Sequence, residues 1–115
     1  MDIVHELRVQ LPGLENASSL DDIVLFLIEK VQHKETDSFE GFFQYVEQQL
    51  IFAGREVSDR LIVELLEGLK NQSSLRDIDY AIFENWIGPE THVAWRWLEK
   101  KWKGKTSLRD TASGL

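Results

Sequence analysis

Apolar positions along the chain recur about every 3.6 residues and no segment keeps a clean period of two, so the pattern predicts helices throughout. No Asn-Gly or Asp-Gly dipeptide sits between apolar runs, which leaves hairpins without support. Ile3, Leu7 and Leu11 predict a short first helix over Asp2 to Leu11, stopped by Pro12-Gly13, and the stretch to Ser18 is expected to be a loop. Ser19 with Asp22 three residues on has the form of a capping box. Behind it, Leu20, Ile23, Val24, Leu27, Ile28 and Val31 make the stripe of a second helix. Leu25 and Phe26 widen that stripe, which predicts neighbours on more than one side and a central position.

A third helix is expected from the cap Asp37 with Glu40 behind it, with Phe39, Phe42, Phe43, Val46 and Leu50 on one face and Gly54 as its stop. The fourth, about Glu56 to Lys70, carries the most regular stripe: Val57, Leu61, Ile62, Leu65, Leu66 and Leu69. Asn71 to Ser74 reads as a connection. Asp79 then caps a short fifth helix with Ile82, Phe83, Trp86 and Ile87, and Gly88 ends it. Pro89 takes the first position of a sixth, whose early Glu90 and late Lys100, Lys101 and Lys103 suit the helix dipole. From Thr106 the chain is expected to be a frayed tail. The prediction is an all-α single domain over residues 1–105, with about six helices in stacked antiparallel hairpins, a bundle or a short helical array.

Composition adds limits rather than an activity. With 115 residues, 43% hydrophobic and 29% charged, the chain is long enough for one core and unlike a disordered segment. The absence of cysteine removes disulfides, thiolate metal sites and a thiol nucleophile. The start MDIVHELRVQ has no cationic segment followed by an apolar one, and the run Ile23 to Ile28 is far too short to span a bilayer, so a cytoplasmic chain is expected. Charge is uneven: residues 1–70 hold fourteen Asp/Glu against six Lys/Arg, and residues 71–115 six against seven, within a net of −7. An acidic body with a basic end repels nucleic acid and anionic membranes at long range and attracts cationic partners.

The stretch Leu65-Leu66-Glu67-Gly68-Leu69-Lys70-Asn71, then Ile78-Asp79-Tyr80, then Ile87-Gly88-Pro89-Glu90-Thr91, and finally Trp95, Leu98, Trp102 and Gly104, resembles a family of small uncharacterised bacterial proteins. Their pattern is LLEGLQN, then LGPES, then W, L and W on the last helix. The likeness covers about residues 39–105, with Lys70 in place of the usual Gln and Ile87 in place of Leu. It implies a helical fold and a bacterial cytoplasmic setting, and it transfers no catalytic residue.

Candidate chemistry is sparse. His5, His33 and His92 are dispersed, and the i,i+4 pair Glu29 and His33 is two ligands where a metal needs three or four. No GxSxG, GxGxxG or GxxxxGK[ST] occurs. No catalytic residue, cofactor or metal is therefore expected. An enzyme alternative would have to draw on Glu64, Glu67, Asn71, Tyr80 and His92 in a helical cleft. The tryptophans are more unusual. Trp86, Trp95, Trp97 and Trp102 fall within seventeen residues, and Trp95 and Trp97 stand about 200° apart on one helix. Trp95, Leu98 and Trp102 share the inward stripe with Ala94. Trp97 is left on the other side near Val93 and Lys101, either under a neighbouring element or as an exposed anchor. Its basic neighbours Arg96, Lys100, Lys101, Lys103 and Lys105 keep nucleic-acid or membrane binding as a further alternative, opposed by the net charge. The favoured function is a non-enzymatic acidic module that binds a cationic protein through Glu47, Glu64, Glu67 and Trp97. A bacterial immunity protein that occludes a cationic toxin is one such module.

Overall fold

The structure, a computed structural model, describes residues 3–114, and the side chains of residues 3–101. It is all-α, with no strand among the described residues. Helix α1 is Ile3–Arg8, ending before the expected Leu11, and it buries Ile3, Val4 and Leu7; the expected start at Asp2 lies outside the described residues. The segment between α1 and α2 is a packed turn region rather than a surface loop. Leu11, Leu14 and Ala17 are buried, and Arg8 donates to the Glu15 carbonyl at 2.7 Å.

Helix α2 (Leu20–Gln32) starts as its sequence predicts: the Ser19 hydroxyl accepts from the Asp22 backbone N–H. The Asp22 carboxylate reaches back one residue further, to the N–H and hydroxyl of Ser18. Leu20, Ile23, Val24, Leu27 and Ile28 are buried against the helices that follow. Leu25, expected to be covered, is exposed, while Phe26 is half-buried with its ring beneath Gly13. The helix ends with Lys34 at φ 59°, Lys34 N–H bonding to Val31 O and Glu35 N–H to Lys30 O. That pair is a Schellman stop made without glycine.

Helix α3 is Phe39–Phe52. Its N-cap is Ser38 with no side-chain bond, so Asp37 does not cap it as expected. Phe39, Phe42, Phe43 and Val46 are buried, and the first three join Phe83 and Trp86 in edge-on and stacked ring contacts. Gly54, at φ 93°, turns the chain into the next rod.

That rod runs without a break through α4 (Arg55–Arg60), a π-helical turn (Leu61–Leu66) and α5 (Glu67–Leu75). Asn71 to Ser74, expected as a connection, is helical, and Ser73 is fully buried. The wide turn has a reason in the spacing. Apolar or buried positions 57, 61, 65, 69 and 73 step by four, and each such step drifts by about 40° on a 3.6-residue helix. A turn closed by Glu67 N–H to Ile62 O, one residue longer than the α pattern, takes up part of that drift, and the π turn and α5 pack against α2 while α4 packs against α3. Gly68 lies where α2 crosses, and a Cβ there would stand 3.0 Å from Val24 Cγ2. The rod ends in a second Schellman stop, with Asp77 at φ 57° and Ile78 N–H on Ser73 O at 2.8 Å.

The expected fifth helix is a 3₁₀ segment, Tyr80–Asn85, started by the Asp79 carboxylate accepting from Ala81 N–H. Phe83 and Ile87 are buried and Trp86 half-buried, but Ile82 faces out. Helix α6 spans Pro89–Gly114 and so takes in the stretch from Thr106 expected as a tail. Ala94, Trp95 and Leu98 are buried on its inner stripe. Trp102, assigned to the same stripe, lies outside the residues whose side chains are described, as do Lys103 and Lys105.

Candidate functional site

Three of the elements, α3, the α4-to-π rod and the first turns of α6, meet along one side of the molecule. The junction is set by Glu47 on α3. Its carboxylate accepts from the backbone N–H groups of Glu90 (2.9 Å) and Thr91 (2.8 Å) and from the Thr91 hydroxyl (2.8 Å). These are the free donors of the α6 N-terminus, so a side chain from another helix caps α6. Gly88 permits the approach, because a Cβ there would stand 2.6 Å from the Glu47 carboxyl carbon. Burial by itself raises the Glu47 carboxyl; the bonds from Glu90 and Thr91 and the nearby His92 outweigh it and hold it below the ordinary value. The Gly-Pro-Glu-Thr segment is thus the receiving half of this cap, and Glu47 is occupied by it rather than free for a partner.

Beside the cap lies an open cleft of about 280 Å³, lined by Leu50, Ser58, Ile62, Glu90, Val93, Ala94 and Trp97. Its lining is mainly apolar. Trp97 is 54% exposed and Val93 65%, so neither is covered by another element. Lys101, one turn after Trp97, holds its ammonium 5.5 Å from the Trp97 ring centre and 3.7 Å from the Glu67 carboxylate. Glu67 and Trp97, singled out separately in the sequence, are therefore joined through Lys101. Glu64, one turn earlier, pairs with Arg60 at 2.9 Å on the exposed side of the rod.

A second cluster escaped the sequence reasoning. Lys70 is fully buried, with its ammonium 3.7 Å from the Tyr80 ring centre, 4.0 Å from that of Trp95 and 3.6 Å from Glu99 Oε1. It has no hydrogen-bond partner and rests on the two ring faces and the carboxylate. Burial pushes the Lys70 pKa down, opposed by Glu99 and Glu84. The Tyr80 hydroxyl is pushed up by burial and by the charges of Glu99, Asp79 and Glu84. The cluster closes over the ammonium and joins α5, the 3₁₀ segment and α6.

Of the residues a helical-cleft enzyme would need, Tyr80 lies on Lys70, His92 faces Glu84 at 3.8 Å, Glu64 is on Arg60 and Glu67 on Lys101. Among the described residues no side-chain hydrogen bond or ion pair joins any two of Glu64, Glu67, Asn71, Tyr80 and His92. Nor does any group of three His, Asp or Glu among them have the arrangement of a metal site. No described helix is long and apolar enough to cross a membrane. No protein-family model, curated protein or solved structure matches the chain.

Proposed function

We propose that this chain is a non-enzymatic acidic binding module that acts by occupying a cationic protein, as a bacterial cytoplasmic immunity protein would. The observation that carries the proposal is the half-exposed Trp97 at the mouth of an apolar cleft, on a chain of net charge −7. A large aromatic beside a pocket is the composition of an interface hot spot, and surrounding carboxylates steer a cationic partner toward it. Glu67 and Glu90 flank the anchor, and Glu64 extends the acidic surface along the rod.

The test is recovery of partners from the native host on immobilised chain, followed by binding kinetics of what is recovered. Association is expected to slow as salt shortens the Debye length from about 10 Å at 0.1 M to about 3 Å at 1 M. Joint reversal of Glu64, Glu67 and Glu90 to Lys is expected to slow it at low salt with the helical spectrum unchanged, and Trp97→Ala to speed dissociation. Glu47 is left out because reversing it would break the α6 cap. Recovery chiefly of nucleic acid or acidic proteins, held through Arg96 and Lys100, would overturn the proposal in favour of the basic helix.

A further inference from the structure

Trp97, Glu67 and Lys101 form a small unit whose parts are separable. The indole face and the Glu67 carboxylate make a seat for a cation, and Lys101 of the same helix sits in it. The fit is loose. At 5.5 Å the ammonium is near the outer range of a cation–aromatic contact of about 6 Å, and at 3.7 Å from Glu67 it is beyond hydrogen-bond reach. Lys101 is still partly exposed, so its ammonium can return to water. Next to the ring, Leu50, Ile62, Val93 and Ala94 line the cleft, with Glu90 among them.

We infer that the seat and the cleft together recognise an arginine adjacent to an aliphatic residue on the partner surface, the guanidinium displacing Lys101 and the aliphatic side chain entering the cleft. This rests on the protein-binding proposal above and names the chemistry of the contact. Arginine suits the seat better than lysine: its planar guanidinium stacks on the indole while its fork donates to Glu67, and it is more weakly hydrated than an ammonium. Locally, the Glu67 carboxylate beside Lys101 and the Glu90 carboxylate in the cleft favour a cation at this point, against the neighbouring Arg96 and Lys100. Lys101 then acts as an internal competitor that keeps the ring face occupied until a better cation arrives.

The experiment follows the indole N–H resonances of the four tryptophans while the full chain is titrated with blocked pentapeptides carrying a central Arg-Leu, Lys-Leu or Glu-Leu pair. The Arg-Leu peptide is expected to shift the Trp97 signal saturably and the Lys-Leu peptide to bind about threefold or more weakly, in line with the modest worth of an exposed cation–aromatic contact. The Glu-Leu peptide should leave the signal in place. Lys101→Met removes the competitor while keeping the stem, and is expected to tighten Arg-Leu binding about threefold; Glu67→Gln is expected to weaken it by at least as much. No saturable Trp97 shift, equal binding of all three peptides, or unchanged affinity in Lys101→Met would overturn the inference. A recovered basic partner that associates in a salt-dependent way without moving the Trp97 signal would leave the module proposal standing and remove only this contact.

Discussion

Removing the Glu47 carboxylate tests whether the α6 cap holds the fold together. Three charge-assisted bonds end on it, each of a kind with a net value of about 1.5–3 kcal/mol. They are not worth their sum. The Glu90 N–H is in an exposed bond and can turn to water when Glu47 is gone, which limits its share to the about 0.5–2 kcal/mol of an ordinary N-cap. Thr91 is fully buried, so its N–H and hydroxyl lose their partner with no easy substitute. Glu47→Ala is therefore expected to cost about 2–4 kcal/mol in urea unfolding followed by circular dichroism. Glu47→Gln keeps the shape but turns an amide NH₂ toward one of the donors, and is expected to cost about 1–2 kcal/mol. The pH dependence has a fixed sign. The folded carboxyl titrates below its unfolded value, so its stabilisation is present above the unfolded pKa, near 4.5, and is lost as pH falls through the folded one. Glu47→Gln should flatten that acid limb. A loss under about 0.5 kcal/mol in Glu47→Ala, or an acid limb unchanged in Glu47→Gln, would refute the cap as a source of stability.

Gly88→Ala should cost about 1–3 kcal/mol by colliding with the Glu47 carboxyl, and the cost should largely vanish in a Glu47→Ala background, a coupling that a double-mutant cycle measures. Leu65→Ala and Phe42→Ala, both at fully buried positions, should each cost about 2–5 kcal/mol, and losses under 1 kcal/mol for both would mean the faces are misassigned. Lys70→Met should be neutral or stabilising at neutral pH, because it replaces a buried charge with an apolar chain of similar length. Since the folded Lys70 pKa lies below the unfolded 10.5, the wild type gains stability as pH rises toward 10.5, and the advantage of Met should shrink over that range in pH-resolved unfolding.

The helical stripes were legible because burial enforces the period: every apolar position assigned to the inner row of α2 is buried except Val31, which is half-covered. The misjudged end of the α4-to-α5 rod has a local cause. Asp77 takes the left-handed conformation usually reserved for glycine, as Lys34 does after α2, so the stop carries no glycine to mark it, and Asn71 to Ser74 look like a turn although Ser73 continues the buried row. Trp97 was placed correctly on the outer side of its helix by angle alone, but its exposure depended on whether another element lay over it, which periodicity does not encode. Glu47 shows the opposite limit. As a lone acidic residue on a predicted helix it looked like surface, and only the meeting of α3 with residues 43 and 44 positions away reveals what it holds. Lys70 was hidden likewise, since an inward lysine becomes tolerable only when Tyr80, Trp95 and Glu99 arrive from two other elements.

The cap at Glu47 also bears on how costly recognition is. It grips the first turn of α6 by backbone groups, so it fixes the rotation of that helix about its own axis, and Trp97 lies fewer than two turns further along. An aromatic on a helix clamped in rotation is already pointed where a partner would find it, and little orientational freedom remains to be lost on contact. Loosening the clamp would spread the ring over several directions without removing any atom from the cleft. A residue that touches no partner would then lengthen or shorten the lifetime of a complex through the entropy of its anchor alone.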